Sequence, residues 1–149
     1  MNPNIEIAEP SYLKRGIRQQ AVAVAMASSA PKRMSALLLD KRNRVISTGI
    51  NSYEMTHTQQ FYAAVTAANK YKNPSLSKKI FCHCEINCLL KARKQGHKLV
   101  VCRVGGNGGK ELRNSFCCPI CFLYITTNCP TIKEIHWSTN EQDFKFIKL

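Results

Sequence analysis

Acidic residues are scarce in this chain. Nine Asp and Glu stand against 22 Lys and Arg among 149 residues, so the formal charge is +13. Such a surplus attracts polyanions, nucleic acid being the commonest, although a basic face can also be merely solvated. Long apolar runs are missing as well: the most apolar early segment, Ala21 to Ala27, is far too short to cross a bilayer. Met1 to Ile7 lacks the basic stretch and apolar run of a leader. The basic residues are scattered rather than gathered on one long amphipathic helix, which argues against membrane-surface binding. A soluble, cytoplasmic protein without a membrane partner is expected. Eight cysteines without a secretion signal point to metal binding or catalysis rather than to a disulfide framework. No internal repeat or low-complexity tract is present. Gly105-Gly106-Asn107-Gly108-Gly109 lacks the Lys-Ser/Thr ending of a P-loop and reads as a mobile connection.

With 44% hydrophobic residues, the chain can build one core, and residues 1–149 read as a single domain. Leu13, Ile17, Ala21, Val24 and Ala25 recur at helical spacing after Ser11, a candidate N-cap, and this first helix ends near Ser28-Ser29-Ala30-Pro31. Met34 to Leu39 and Val45 to Ile50 read as antiparallel strands joined by a polar turn. A helix is predicted from Gln59 to Lys70, in a segment that lids or walls a site. Helical spacing resumes at Cys84 and closes at Gly96, Leu99 to Val104 is a buried strand, and Cys118 opens a helix to about Asn128. Thr131 to Ser138 is a fourth strand and Asp143 to Leu149 a short fifth. The order reads as α/β, with strand-to-helix turns carrying the chemistry.

The chemistry gathers in His83-Cys84-Glu85 and Cys118-Pro119-Ile120-Cys121. An imidazole and two thiolates have the softness zinc prefers, and a carboxylate beside them is left free to act as a base. Each motif falls at a helix start, where the dipole favours thiolate at Cys118 and carboxylate at Glu85. Other readings stand beside this one. Cys82-x-Cys84 with Cys118-x-x-Cys121 makes a closed four-thiolate staple, which leaves Glu85 unexplained, and Cys-x-x-Cys also describes a redox dithiol. Cys117 shares a helical face with Cys121 and competes with Cys118 as a ligand. Cys88, Cys102 and Cys129 read as small core hydrophobes. His97 and His136 read as structural or exposed. His57 is a candidate lining residue. Among Tyr53, Phe61, Phe81 and Phe116, Phe81 is the first candidate to stack on a planar ligand.

His83-x-Glu85 followed by Cys118-x-x-Cys121 resembles the zinc-dependent cytidine and deoxycytidylate deaminase superfamily, and Gly49-Ile50-Asn51 looks like that family's substrate-contacting asparagine segment. Two cysteines depart from the pattern: Cys117 stands where proline is usual, and Cys84 where a small residue is usual. The resemblance implies a three-layer α/β/α fold, with a mixed sheet of about five strands and helices on both faces. It further implies one catalytic zinc held by His83, Cys118 and Cys121. Glu85 would relay a proton from water to ring N3 as C4 is attacked, and Asn51 would bond the sugar or base.

By that resemblance the reaction is hydrolysis of cytosine to uracil with release of ammonia. The charge leans toward single-stranded DNA or RNA as substrate, with a free cytidine or pyrimidine nucleotide as the alternative, because tracking a backbone calls for many basic groups. Adenine in transfer RNA is disfavoured by the cysteine motif. A nucleic-acid-binding module with a structural zinc is the non-enzyme alternative, and the sequence allows a homo-oligomer.

Overall fold

The computed structural model describes residues 7–149, so residues 1–6, which carry most of the leader reading, lie outside the described residues. The elements in chain order are β1 (Glu9–Pro10), α1 (Arg15–Met26), β2 (Arg33–Leu39), β3 (Val45–Ile50), α2 (Thr58–Lys70), α3 (Cys84–Lys91), β4 (Lys98–Gly105), β5 (Glu111–Arg113), α4 (Pro119–Asn128), β6 (Glu134–Ser138) and β7 (Phe144–Lys148). The strands form one open mixed sheet in the order β1-β7-β6-β4-β2-β3. The β4–β6 pair is parallel, with α4 in the crossover, and every other pairing is antiparallel.

The continuous apolar run of β2 follows from helices covering both faces of the sheet. Leu37 and Leu39 share one buried cluster with Ala21 and Ala25 of α1, together with Val100 and Cys102 of β4. Ala36 and Leu38 point the other way, into a second cluster with α2, α3 and α4. Period-two alternation along β2 and β4 thus builds an α/β/α sandwich, as the sequence leads one to expect. Among the described residues no helix is long and apolar enough to cross a membrane.

Several boundaries differ from the expectation. The sheet has seven strands rather than about five. β1 has two residues and β5 three, too short to carry a periodic signal. Beyond the last β6 partner, β5 takes up the same edge of β4: β6 pairs it from Lys98 to Val101, and β5 from Arg103 to Gly105. Lys14, not Ser11, is the N-cap of α1. The Ser11 hydroxyl is instead 2.8 Å from His136 Nδ1. Helix α3 stops at Lys91, well before Gly96, which is buried against β2. A Cβ at Gly96 would lie 2.2 Å from Leu38 Cδ1, so close packing rather than helix capping requires this glycine. The Gly105–Gly109 stretch is a tight turn, closed by Gly109 N–H donating to the Gly106 carbonyl at 3.1 Å, with positive φ at Gly106, Gly108 and Gly109.

Gly49 governs the approach of α3 to β3. A Cβ there would lie 2.5 Å from Cys88 N and 2.6 Å from Cys84 O, both backbone atoms of the helix. Gly49→Ala should push α3 outward and cost about 1–3 kcal/mol in urea unfolding, the usual range for overpacking.

His136 is fully buried. Its Nδ1 meets Ser11, its Nε2 is 3.2 Å from Glu134 Oε1, and its ring stacks on Phe146 at 4.8 Å between centroids. Burial, with help from nearby Lys98 and against the pull of Glu134, drives its pKa down from 6.5 to about 4. The neutral ring is therefore the folded form. Its stabilising contribution is complete above the unfolded pKa of ~6.5 and is lost as pH falls toward the folded value, on the order of 3 kcal/mol across that window. Urea unfolding of the wild type should weaken through this window, and His136→Gln should flatten the dependence. Parallel wild-type and variant profiles would contradict it.

Candidate metal centre

Each candidate ligand arrives in or just before the first turn of a helix. His83 precedes α3 and Cys118 precedes α4, both in extended backbone, and Pro119 occupies the first turn of α4. Proline is suited to that position because the N–H it lacks would have no helical partner there. The His83 carbonyl accepts from Asn87 N–H at 3.0 Å, and the Cys118 carbonyl accepts from Phe122 N–H at 2.9 Å, closing the first turn of each helix. Cys121, three residues beyond Cys118, returns its sulfur to the same point. His83 Nδ1 lies 3.2 Å from Cys121 Sγ and 3.5 Å from Cys118 Sγ.

The ligand atoms of His83, Cys118 and Cys121 all lie within 4.8 Å of one another. Ligands around one tetrahedral zinc sit roughly 3.5–3.8 Å apart, given ~2.3 Å Zn–S and ~2.0 Å Zn–N bonds. The donor set and spacing fit such an ion, and these three residues can hold a metal. Protons occupy the cluster otherwise. The Cys121 thiol hydrogen-bonds to Cys118 and, with His83, holds Cys118 well below the usual thiol range despite burial. Burial, reinforced by the Cys118 charge, pushes Cys121 well up. Burial alone would lower His83, but its hydrogen bond to Cys118 and the thiolate charge outweigh it and raise its pKa. Metal binding would displace these protons, as it does wherever thiol and imidazole ligands must be deprotonated.

Glu85 stands beside this cluster and outside it. It lies in the first turn of α3, is only 3% exposed, and lines the same pocket as His83 and Cys118. The Cys84 thiol donates to Glu85 Oε1 at 2.9 Å. Burial first, and the Glu85 charge second, push the thiols of Cys84 and Cys117 well above their usual range. Both therefore keep their protons next to the carboxylate, a poor state for a ligand. The Cys82 thiol makes a long 3.8 Å contact with the His83 carbonyl. None of these three cysteines joins the ligand cluster.

The pocket encloses about 510 Å³. Phe81 and Tyr53 line it with their rings edge to face at 6.4 Å between centroids, and both are substantially exposed. Phe116 also lines it, while its ring packs edge-on against Trp137 at 4.8 Å. Asn51 reaches the pocket, but its side chain is largely committed to the fold. Oδ1 accepts from Ser28 Oγ at 2.8 Å and from Met34 N–H at 2.9 Å, and Nδ2 donates to the Lys32 carbonyl at 2.5 Å. One Nδ2 hydrogen is left. His57 is not among the lining residues; its Nδ1 accepts from Gln59 N–H at 3.0 Å and caps α2. Phe61 likewise lies elsewhere, half exposed on α2.

Two features of the site escape sequence reasoning. Gln60 is fully buried, accepts from the His83 backbone N–H at 3.1 Å, and donates to the Lys79 carbonyl at 3.3 Å, so it fixes the segment that presents the imidazole. Its signal is a lone polar residue on the apolar stripe that continues through Ala64, Ala67 and Ala68 of α2. The second is a basic rim, where Lys32, the Lys78-Lys79 pair and Arg103 come from three separate segments. Comparison with models of known families finds none that matches this chain, and comparison with curated proteins finds no match either.

The purified chain should carry about one zinc, measured by plasma mass spectrometry. Cys118→Ser, Cys121→Ser or His83→Ala should each empty the site at micromolar zinc, whereas Cys117→Ser should keep the metal. Retention in Cys118→Ser with loss in Cys117→Ser would reassign the ligand.

Proposed function

We propose that the protein is a zinc-dependent hydrolase that deaminates cytosine to uracil. One observation carries this reading: Glu85 is buried in the pocket beside the His83, Cys118 and Cys121 cluster, with no part in it. A structural zinc site closes its shell with protein ligands, whereas a catalytic one keeps a position open. When bound there, zinc supplies Lewis acidity that makes water nucleophilic near neutral pH. This chain supplies the proton path. Glu85 takes a proton from the attacking water and delivers it to ring N3; as the C4–N4 bond breaks, protons leave with ammonia and a carbonyl forms at C4. The Cys84 thiol at 2.9 Å holds the carboxylate in place. Phe81 and Tyr53 offer faces for the pyrimidine, and the free Nδ2 hydrogen of Asn51 can meet its sugar or base.

The basic rim favours a phosphorylated substrate, and the overall charge of +13 favours single-stranded nucleic acid. A free pyrimidine nucleotide is the second reading, supported by a pocket of about 510 Å³, a size suited to one nucleotide at a time.

A mass-spectrometric screen over cytidine, its phosphates, single-stranded DNA and RNA should reveal loss of ammonia from at least one class. Glu85→Ala should cut turnover by about 10²–10⁴-fold or more while zinc stays bound. Loss of zinc in that variant would make Glu85 structural. Absence of turnover across all classes with zinc loaded would favour a binding module with a metal staple.

A further inference from the structure

The sheet has a second charged end, which the proposed chemistry does not use. β2, β3 and β4 each run between the pocket and this opposite end. Met34, Asn51 and Arg103 line the pocket, whereas Asp40, Arg44 and His97, just beyond the other ends of the same strands, line a groove. The seven residues of β2 separate the two by about 20 Å at ~3.3 Å per residue. The groove continues into two neighbours: Gln95 and Thr131 are shared with one that includes Arg93 and Lys94, and Arg42 and Arg44 with one that includes Lys14. Together they form one track on which Lys14, Lys41, Arg42, Lys94 and Lys133 are exposed.

The track's acid is already neutralised. Asp40 pairs with Arg44 at 2.7 Å and accepts from the Arg42 and Arg44 backbone N–H groups at 2.8 and 2.9 Å. Among the described residues Lys14, Lys41, Arg42, Lys94 and Lys133 make no ion pair. The backbone under Lys133 is pinned to the end of β2, and the β2–β3 turn that carries Lys41 and Arg42 is pinned to β4. His97 N–H donates to the Leu39 carbonyl at 2.7 Å, and Lys133 N–H to the His97 carbonyl at 2.8 Å. Leu149 N–H completes the series on the Lys133 carbonyl at 2.9 Å. Lys98 Nζ donates to Asn43 Oδ1 at 2.6 Å and ties the β2–β3 turn to β4. Basic side chains on a pinned backbone lose less freedom on meeting a regular array of anions than the same groups on mobile loops.

We infer that this track is a second binding site, for the phosphate backbone of nucleic acid, remote from the pocket. No Phe, Tyr or Trp lines the groove around Lys41 and Lys133 or the one around Lys14; the His97 imidazole in the first and Tyr124 in the third groove are the rings on the track, so bases find few faces there to stack on. Contacts are to phosphates, without sequence preference, and both single strands and duplexes bind. The inference stands apart from the proposed deamination, since a chain that turns nothing over would still bind through this face.

The test uses the zinc-loaded full chain and fluorescence anisotropy with a labelled single-stranded DNA and its duplex, across a salt series. Replacing Lys41, Arg42 and Lys133 together by Glu should weaken both by about tenfold or more and reduce the log–log salt slope by about 3. The charge-conserving set Lys41→Arg, Arg42→Lys and Lys133→Arg should bind like wild type, which guards against a folding defect. Unchanged affinity and slope in the Glu variant would overturn the inference, and so would equal competition, charge for charge, by polyglutamate. Zinc content and the small-substrate reaction report on the pocket separately: a Glu variant that keeps both and loses DNA supports the inference, whatever the pocket's substrate.

Discussion

The meeting of two helix N-termini over a shared thiolate is the constraint on which this molecule is built. His83 and Cys118 sit at the caps of α3 and α4, and their side chains lie within hydrogen-bonding range of each other and of Cys121. Each helix end brings partial positive charge, which favours thiolate in a place that burial would otherwise keep neutral. Such an approach must be held from outside. Gly49 lets α3 lie directly on β3, Gln60 clamps the His83 backbone from α2, and Asn87 donates to the Ile50 carbonyl at 3.1 Å. Removing any of these would loosen the ligand geometry without changing a ligand side chain.

Cysteine plays three physical roles in this chain. Cys118 gains hydrogen bonds from Cys121 and His83 and is the natural thiolate. For Cys84 and Cys117 burial comes first and the neighbouring carboxylate second, and both oppose ionisation, so they stay thiols around Glu85. Cys88 and Cys102, with pKa values pushed up to about 11 and about 12, are packing residues in the two cores. Eight cysteines therefore do not make a larger metal site. Environment, not number, sorts them.

Much of this was legible in the sequence, and the reason is local periodicity. The runs Met34 to Leu39 and Leu99 to Val104 carry the patterns of covered strands, and His83 and Cys118 fall at helix starts because the apolar stripes resume just after them. What escaped depends on long-range meeting. β1 and β5 exist only because an edge of β7 or β4 is there to pair with. Ser11 looked like a cap until His136, 125 residues away, took its hydroxyl. His57 looked like a pocket residue because it precedes the site in sequence, but α2 needed an N-cap acceptor and the imidazole serves it. The basic rim is invisible to a linear reading because Lys32, Lys78 and Arg103 come from separate parts of the chain.

The charge is distributed by the same topology that places the site. An antiparallel β2–β3 pair and its neighbour β4 send one set of ends to the pocket and the other to the basic track, so a single sheet carries two electropositive surfaces facing apart. They differ in what accompanies the charge. The pocket adds Phe and Tyr faces and a buried carboxylate, which suit one ring at a time; the central and Lys14 grooves of the track have no Phe, Tyr or Trp and no buried carboxylate, and suit a backbone of any sequence. A surplus of +13 on a small chain works against compactness through self-repulsion. Crowding exposed cations that make no ion pair among the described residues onto one end of the sheet sharpens that repulsion locally, where a run of phosphates would relieve it. That is the physical reason to read the charge as two sites with different partners rather than as one diffuse basic surface.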